Sequence, residues 1–138
     1  WIPIINLYFK RMGMVAIDRG AGAIALKSLV HGGRRIMAEN RPLVIFPEGT
    51  RSLPGKPGQY QPGVAALYKN LGVPVIPVAL NSGMFWGRRS FVKHPGVITW
   101  QFLPPIQPGL SRAEFMKELV NSIETTSLKL NHIQSQKD

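Results

Sequence analysis

Leu43-Val44-Ile45-Phe46-Pro47-Glu48-Gly49-Thr50-Arg51-Ser52 is the stretch that decides how this chain folds. Its first four residues are apolar and β-branched in the middle, which predicts a strand buried on both faces, as in a parallel sheet. Pro47 ends the run, and Glu48, Gly49, Thr50 and Arg51 follow at its carboxyl end. Loops in that position are where α/β proteins hold ligands. Gly49 permits close backbone approach or an unusual backbone conformation. Arg51 carries a planar fork matched to phosphate oxygens. Glu48 is suited to orient that guanidinium or to hold a substrate hydroxyl. The competing reading is a surface Glu48–Arg51 ion pair, worth about 0–1 kcal/mol.

Upstream, Met14-Val15-Ala16-Ile17 predicts a short strand closed by Asp18-Arg19-Gly20. The arrangement repeats: an apolar run, then an acid and a base at its end. If the two strands are neighbours, Arg19 and Arg51 face one pocket, and two convergent guanidiniums suit a phosphate monoester. Solvated ion pairing is the alternative. Between them, Leu26, Leu29, Val30, Ile36 and Met37 recur at helical spacing from Ala23 to Glu39. Gly32-Gly33 interrupts that helix at about 1 kcal/mol per glycine relative to alanine.

Downstream, a loop rich in Gly and Pro runs over residues 47–62, and a short helix from Val64 stops near Leu71-Gly72. Val73 to Leu80 predicts another buried strand, in which Pro74 and Pro77 need a strand start, an edge or a bulge. Residues 81–96 form a loop carrying Phe85, Trp86, Arg88, Arg89, Phe91 and Lys93. Val97 to Leu103 predicts a further strand, stopped by Pro104-Pro105. Ser111-Arg112-Ala113-Glu114 is a capping box, and the helix behind it carries Phe115, Leu119, Val120, Ile123 and Leu130 on one side. Alternating strands and helices predict one α/β domain over residues 1–138, with a largely parallel sheet flanked by helices.

Net charge is +10 over 138 residues, which favours anionic partners: phosphorylated substrates, acidic lipid surfaces or nucleic acid. With no cysteine, disulfides and thiolate chemistry are excluded. No apolar run approaches the roughly 20 residues of a membrane-spanning helix. Trp1 to Phe9 is apolar, broken by Pro3 and unlike a signal peptide. Residues 1–12 predict a buried or interfacial segment ending in Lys10-Arg11.

Three blocks together resemble the 1-acylglycerol-3-phosphate acyltransferases of the glycerolipid acyltransferase family. They are Val15-Ala16-Ile17-Asp18-Arg19, Phe46-Pro47-Glu48-Gly49-Thr50-Arg51-Ser52 and Val73-Pro74-Val75-Ile76-Pro77-Val78. Their order and spacing agree with the family across nearly the whole chain, and the residues from Asn81 to Phe91 look most like bacterial members. The resemblance implies transfer of a fatty acyl group to lysophosphatidate, giving phosphatidate in phospholipid biosynthesis. Acyl-carrier protein or coenzyme A would carry the acyl group as co-substrate, with no bound cofactor and no metal. It also implies that Arg19 and Arg51 hold the acceptor phosphate, that Glu48, Gly49 and Thr50 line the acceptor site, and that Pro47 and Pro77 shape it.

The chain departs from the family in one important respect. The family's general base is a histidine with an aspartate four residues beyond its neighbour, and that carboxylate orients the imidazole. Five positions after His31, His94 and His132 stand Ile36, Thr99 and Lys137. No catalytic residue is therefore assigned within this chain. The expectation is a C-terminal portion of an acyltransferase domain, truncated at its N-terminus and inactive alone. A smaller departure is Gln61, where the family often has a basic residue.

Phe85, Trp86, Arg88 and Arg89 alternate aromatic and basic character, which suits the headgroup level of an anionic membrane. The alternative is that Phe85 and Phe91 pack inside while the charges are solvated. A peripheral location at the cytoplasmic face of the inner membrane is expected, or anchoring by missing N-terminal segments. A rival class is a basic nucleic-acid-binding module. The basic residues are spread along the chain, however, with no zinc-finger or helix-turn-helix signal, so a nucleic-acid partner is not expected. A catalytically dead lipid-binding homologue is the third reading. His31 predicts a solvated helix face and His94 an ordinary loop histidine.

Overall fold

The computed structural model describes residues 7–9, 11–15, 22–56 and 58–135. The chain divides into two units, Trp1–Ile45 and Phe46–Asp138.

The first unit is built on α1, Gly22–Ala38, which buries Leu29, Gly32, Gly33 and Ile36. Gly32-Gly33 does not interrupt this helix. A Cβ on Gly32 would stand 2.7 Å from both γ carbons of Val15, so the glycine is where the preceding segment meets the helix face. The helix forms through both glycines because that packing outweighs their low propensity. His31, Arg34 and Arg35 are exposed, as expected of a solvated face. Arg41 closes the unit by donating to Met12 O at 2.7 Å and pairing with Glu39 at 3.0 Å. Residues 7–9 are helical, with Leu7, Tyr8 and Phe9 exposed.

The second unit contains α2 (Pro62–Leu71), β1 (Val78–Leu80), α3 (Ser82–Phe85), β2 (Trp100–Phe102) and α4 (Arg112–Ser135). α2 opens with proline at its first position and ends at Gly72, whose φ of 63° lets its N–H reach Tyr68 O. The box at α4 forms as its spacing requires: Ser111 N donates to Glu114 Oε2 at 2.9 Å, and Glu114 N donates to Ser111 Oγ at 3.2 Å. α4 packs against β1 and α2. Their shared core joins Val64, Ala65, Tyr68, Ile106, Phe115 and Leu119. Tyr68 and Phe115 stack with ring centroids 4.0 Å apart. The phenol of Tyr68 donates to Gln107 O at 2.7 Å and accepts from Leu110 N at 2.9 Å, so the ring is buried without stranding its polar tip.

The largely parallel sheet that was expected is not confirmed. Among the described residues the sheet has two strands, and they are antiparallel, pairing Val78 with Phe102, Ala79 with Gln101 and Leu80 with Trp100. An isolated antiparallel bridge, Val75 to Ile106, extends the pairing. Residues 43–46 lie outside any strand, with Val44 75% and Phe46 70% exposed, so this run is not covered on two faces. Apolar, β-branched character makes a strand only where a partner supplies hydrogen bonds, and none of the described residues pairs with this run. Residues 16 and 17 of the predicted first strand lie outside the described residues. The described residues form a mixed fold of helices and a small sheet.

Both prolines assigned a shaping role accept a backbone hydrogen bond through their carbonyls. Pro77 immediately precedes β1 and accepts from Leu103 N at 2.9 Å. Pro47 accepts from Gln61 N at 2.8 Å, bringing the ends of the 47–61 loop together. A proline without an N–H serves at both places because only its acceptor is needed.

Candidate functional site

The loop that begins at Pro47 is a compact excursion between the end of residues 43–46 and the start of α2. A turn opens it: Gly49 N donates to Phe46 O at 3.0 Å. Gly49 has φ of 65°, a conformation that suits glycine and strains other residues, so its place in the motif has a backbone cause.

Glu48 points into the loop. Its carboxylate accepts from the Ser52 hydroxyl and from the backbone N–H of Gly58. The two donors come from either side of the loop tip, so the carboxylate holds its two limbs together. Burial, with the charge of Glu124 second, raises the Glu48 pKa above the usual glutamate value, while the Gly58 hydrogen bond opposes the shift. Tyr60 Oη donates to Glu124 Oε1 at 2.9 Å, which ties the end of the loop to α4. Burial first, then the hydrogen bond to Glu124, pushes the Tyr60 phenol far up, so it remains a donor at neutral pH.

Arg51 is exposed and takes no carboxylate partner among the described residues. The Glu48–Arg51 ion pair, the competing reading of the motif, does not form. Arg51 instead lies over the Trp86 ring, 5.3 Å from its centroid. Lys93 lies over the same ring at 4.8 Å. Both distances are within the range of a cation–π contact. The ring is fixed in turn, because Trp86 Nε1 donates to Ser90 O at 2.7 Å.

The 81–97 segment that carries Trp86 is anchored at its base. Asn81, the one buried polar side chain among the described residues, accepts from Thr99 N at 2.8 Å and donates to Val97 O at 3.3 Å. α3 and the turn behind it follow, with Ser90 N donating to Gly87 O and His94 N to Phe85 O. Phe85 is only 6% exposed, so this structure removes it from the residues expected to face a membrane. Trp86 is half-exposed, Arg88 and Arg89 are exposed, and Phe91 is 99% exposed.

Thr50 is exposed beside Arg51. Arg19, the other expected phosphate contact, lies outside the described residues. Lys93 is the cation that shares the Trp86 ring with Arg51. Its signal in the sequence was the alternation of aromatic and basic residues from Phe85 to Lys93. Among the described residues no helix is long and apolar enough to cross a membrane, and no cluster of three His, Asp or Glu is placed to hold a metal.

The Acyltransferase family model matches residues 1–81, which is more than half of the chain. The chain belongs to the acyltransferase family. Among curated relatives, it is 36% identical over 98 residues to a 1-acyl-sn-glycerol-3-phosphate acyltransferase of Pseudomonas aeruginosa, covering 71% of this chain and 38% of that protein. It is 32% identical over 107 residues to the protein of the same name from Limnanthes douglasii, covering 77% of this chain and 38% of that protein. A third, from Cocos nucifera, is 27% identical over 139 residues, covering 99% of this chain and 44% of that protein. This acyltransferase chain thus spans less than half the length of each of these three relatives. No solved structure matches it.

Proposed function

We propose that this chain supplies the acceptor-binding part of a 1-acylglycerol-3-phosphate O-acyltransferase. The exposed guanidinium of Arg51 carries the proposal: the loop's own carboxylate is occupied elsewhere, so the fork is available to phosphate oxygens. Arg51 binds the acceptor phosphate, with Arg19 as its expected companion. Glu48, Gly49 and Thr50 line the place of the glycerol. Three relatives named as 1-acyl-sn-glycerol-3-phosphate acyltransferases support lysophosphatidate as the acceptor.

In the whole enzyme the free hydroxyl of lysophosphatidate attacks the carbonyl carbon of an acyl thioester. A new ester bond forms, the C–S bond breaks, and a base accepts the hydroxyl proton and passes it to the departing thiolate, which leaves as the thiol. The donor is acyl-coenzyme A or acyl-carrier protein. The base is a histidine paired with an aspartate, which this sequence does not contain at the family's spacing. Residues 43–46 supply a strand to a larger parallel sheet in that enzyme. The enzyme works at a membrane surface, on its cytoplasmic side, where its lipid acceptor resides.

Calorimetric titration of the 138-residue chain tests the acceptor site. Lysophosphatidate should bind, monoacylglycerol with the same acyl chain should bind at least about tenfold more weakly, and Arg51→Gln should remove that difference. Equal binding of the two lipids, or an unchanged difference in Arg51→Gln, overturns the reading. Acyl transfer by this chain alone at the rate of a complete enzyme would show that no base is missing.

A further inference from the structure

We infer that Lys93 is a second cation of the acceptor-phosphate site and that Trp86 is the positioning residue that gathers it with Arg51 around one ring. The inference rests on the reading of Arg51 as the phosphate contact. It assigns Trp86 to binding the headgroup instead of anchoring in the membrane.

Arg51 and Lys93 come from separate loops, one before α2 and one before β2. Two exposed cations repel each other, and nothing in their own loops brings them together. A single indole attracts both of them, at 5.3 and 4.8 Å from its ring centroid. The indole is itself held by its N–H bond to Ser90 O. Among the described residues neither cation has a carboxylate partner. Two positive groups drawn to one ring without a counter-ion favour an anion carrying more than one negative charge. A phosphate monoester is such an anion, whereas a neutral glycerolipid is not. The long stem of Lys93 also lets its ammonium leave the ring for a phosphate oxygen at little cost, since the contact is at the exposed end of the range. Trp86 thus stores both cations near the place where they are used.

The test uses four variants of the chain, Lys93→Gln, Lys93→Arg, Trp86→Leu and Trp86→Phe, beside Arg51→Gln. Each is titrated with lysophosphatidate and with monoacylglycerol, and each fold is checked by circular dichroism. Lys93→Gln should weaken lysophosphatidate binding about tenfold and leave monoacylglycerol unchanged. Lys93→Arg should restore most of the affinity. Trp86→Leu should weaken lysophosphatidate binding by about three- to tenfold, and Trp86→Phe, which keeps a ring, by less. Arg51→Gln combined with Trp86→Leu should lose less than the product of the two single losses, because they share one contact. If Arg51→Gln loses the phosphate preference while the Lys93 and Trp86 variants bind like wild type, the inference fails and the acceptor site stands. If Arg51→Gln also binds like wild type, or the chain does not distinguish the two lipids, both fail. Equal weakening of Trp86→Phe and Trp86→Leu would reduce Trp86 to a packing role and overturn its assignment.

Discussion

Tyr60 Oη and Glu124 Oε1 lie 2.9 Å apart, joining the end of the 47–61 loop to α4 across 64 positions of sequence. The contact matters because the rest of the loop is held from within, by Ser52 and Gly58 on Glu48 and by Gln61 on Pro47. Tyr60 also packs against the core around Phe115, so one ring fastens the loop at both its polar and apolar ends. Tyr60→Phe keeps the ring and removes the donor to a carboxylate. It should lower unfolding stability by about 1–2 kcal/mol in urea titration with an unchanged m-value. The amides of the loop should exchange faster, while those of α2 and β1 should not.

Glu48 gives the loop a pH dependence whose sign follows from its raised pKa. A carboxyl that binds its proton more tightly folded than unfolded favours the fold in acid. That contribution is present below the ordinary value of 4.5 and is lost as pH rises through the raised value. Glu48→Gln keeps an acceptor for Ser52 and Gly58 and removes the charge facing Glu124. The variant should melt at or above the wild-type temperature at neutral pH, and the difference should vanish in acid. A lower melting temperature than wild type at neutral pH would mean that the charged carboxylate strengthens its two hydrogen bonds by more than its burial costs.

How far the sequence foretells this structure depends on how local each cause is. The Ser111–Glu114 box and the stop at Gly72 follow from neighbours within a turn, and both form where the residues require, whereas the strand expected over Val73 to Leu80 forms only over Val78–Leu80. The fate of residues 43–46 depends on a partner strand far away in sequence, which no local pattern supplies. The sequence marks Arg51 as a candidate ligand contact but does not foretell its contact with Trp86. That choice depends on Glu48 being taken by Ser52 and Gly58 and on the Asn81 clamp that places the second loop. The convergence of Arg19 with Arg51 lies outside the described residues.

Gly32 sets helix propensity against packing. Alanine in its place should favour α1 by about 1 kcal/mol on propensity alone. Its Cβ would stand 2.7 Å from two γ carbons of Val15, and overpacking of that kind costs about 1–3 kcal/mol. Packing should win, so Gly32→Ala should be destabilising in thermal unfolding. Adding Val15→Ala to that variant should recover part of the loss, because the small side chain returns the space. If Gly32→Ala is as stable as wild type, the segment before α1 does not press on the helix in solution.

The cap of α4 opposes Glu48 in its response to pH. Hydrogen bonds with the Ser111 side chain first, and with its backbone N–H second, hold the Glu114 pKa below the usual glutamate value. A carboxyl depressed in the fold stabilises it above its ordinary pKa, and that contribution disappears as pH falls through the lowered value. Glu114→Gln should therefore flatten the acid limb of the stability profile, whereas Glu48→Gln flattens the trend in the other direction. Ser111→Ala removes the hydroxyl that accepts from Glu114 N and should cost about 0.5–2 kcal/mol, chiefly at the first turn of α4. That turn carries Phe115, which stacks on Tyr68, so fraying there loosens the core and not merely the helix end. Near-ultraviolet circular dichroism should accordingly lose signal in Ser111→Ala before far-ultraviolet helicity falls. Simultaneous loss of both signals would mean that α4 and the core around Tyr68 unfold as one unit.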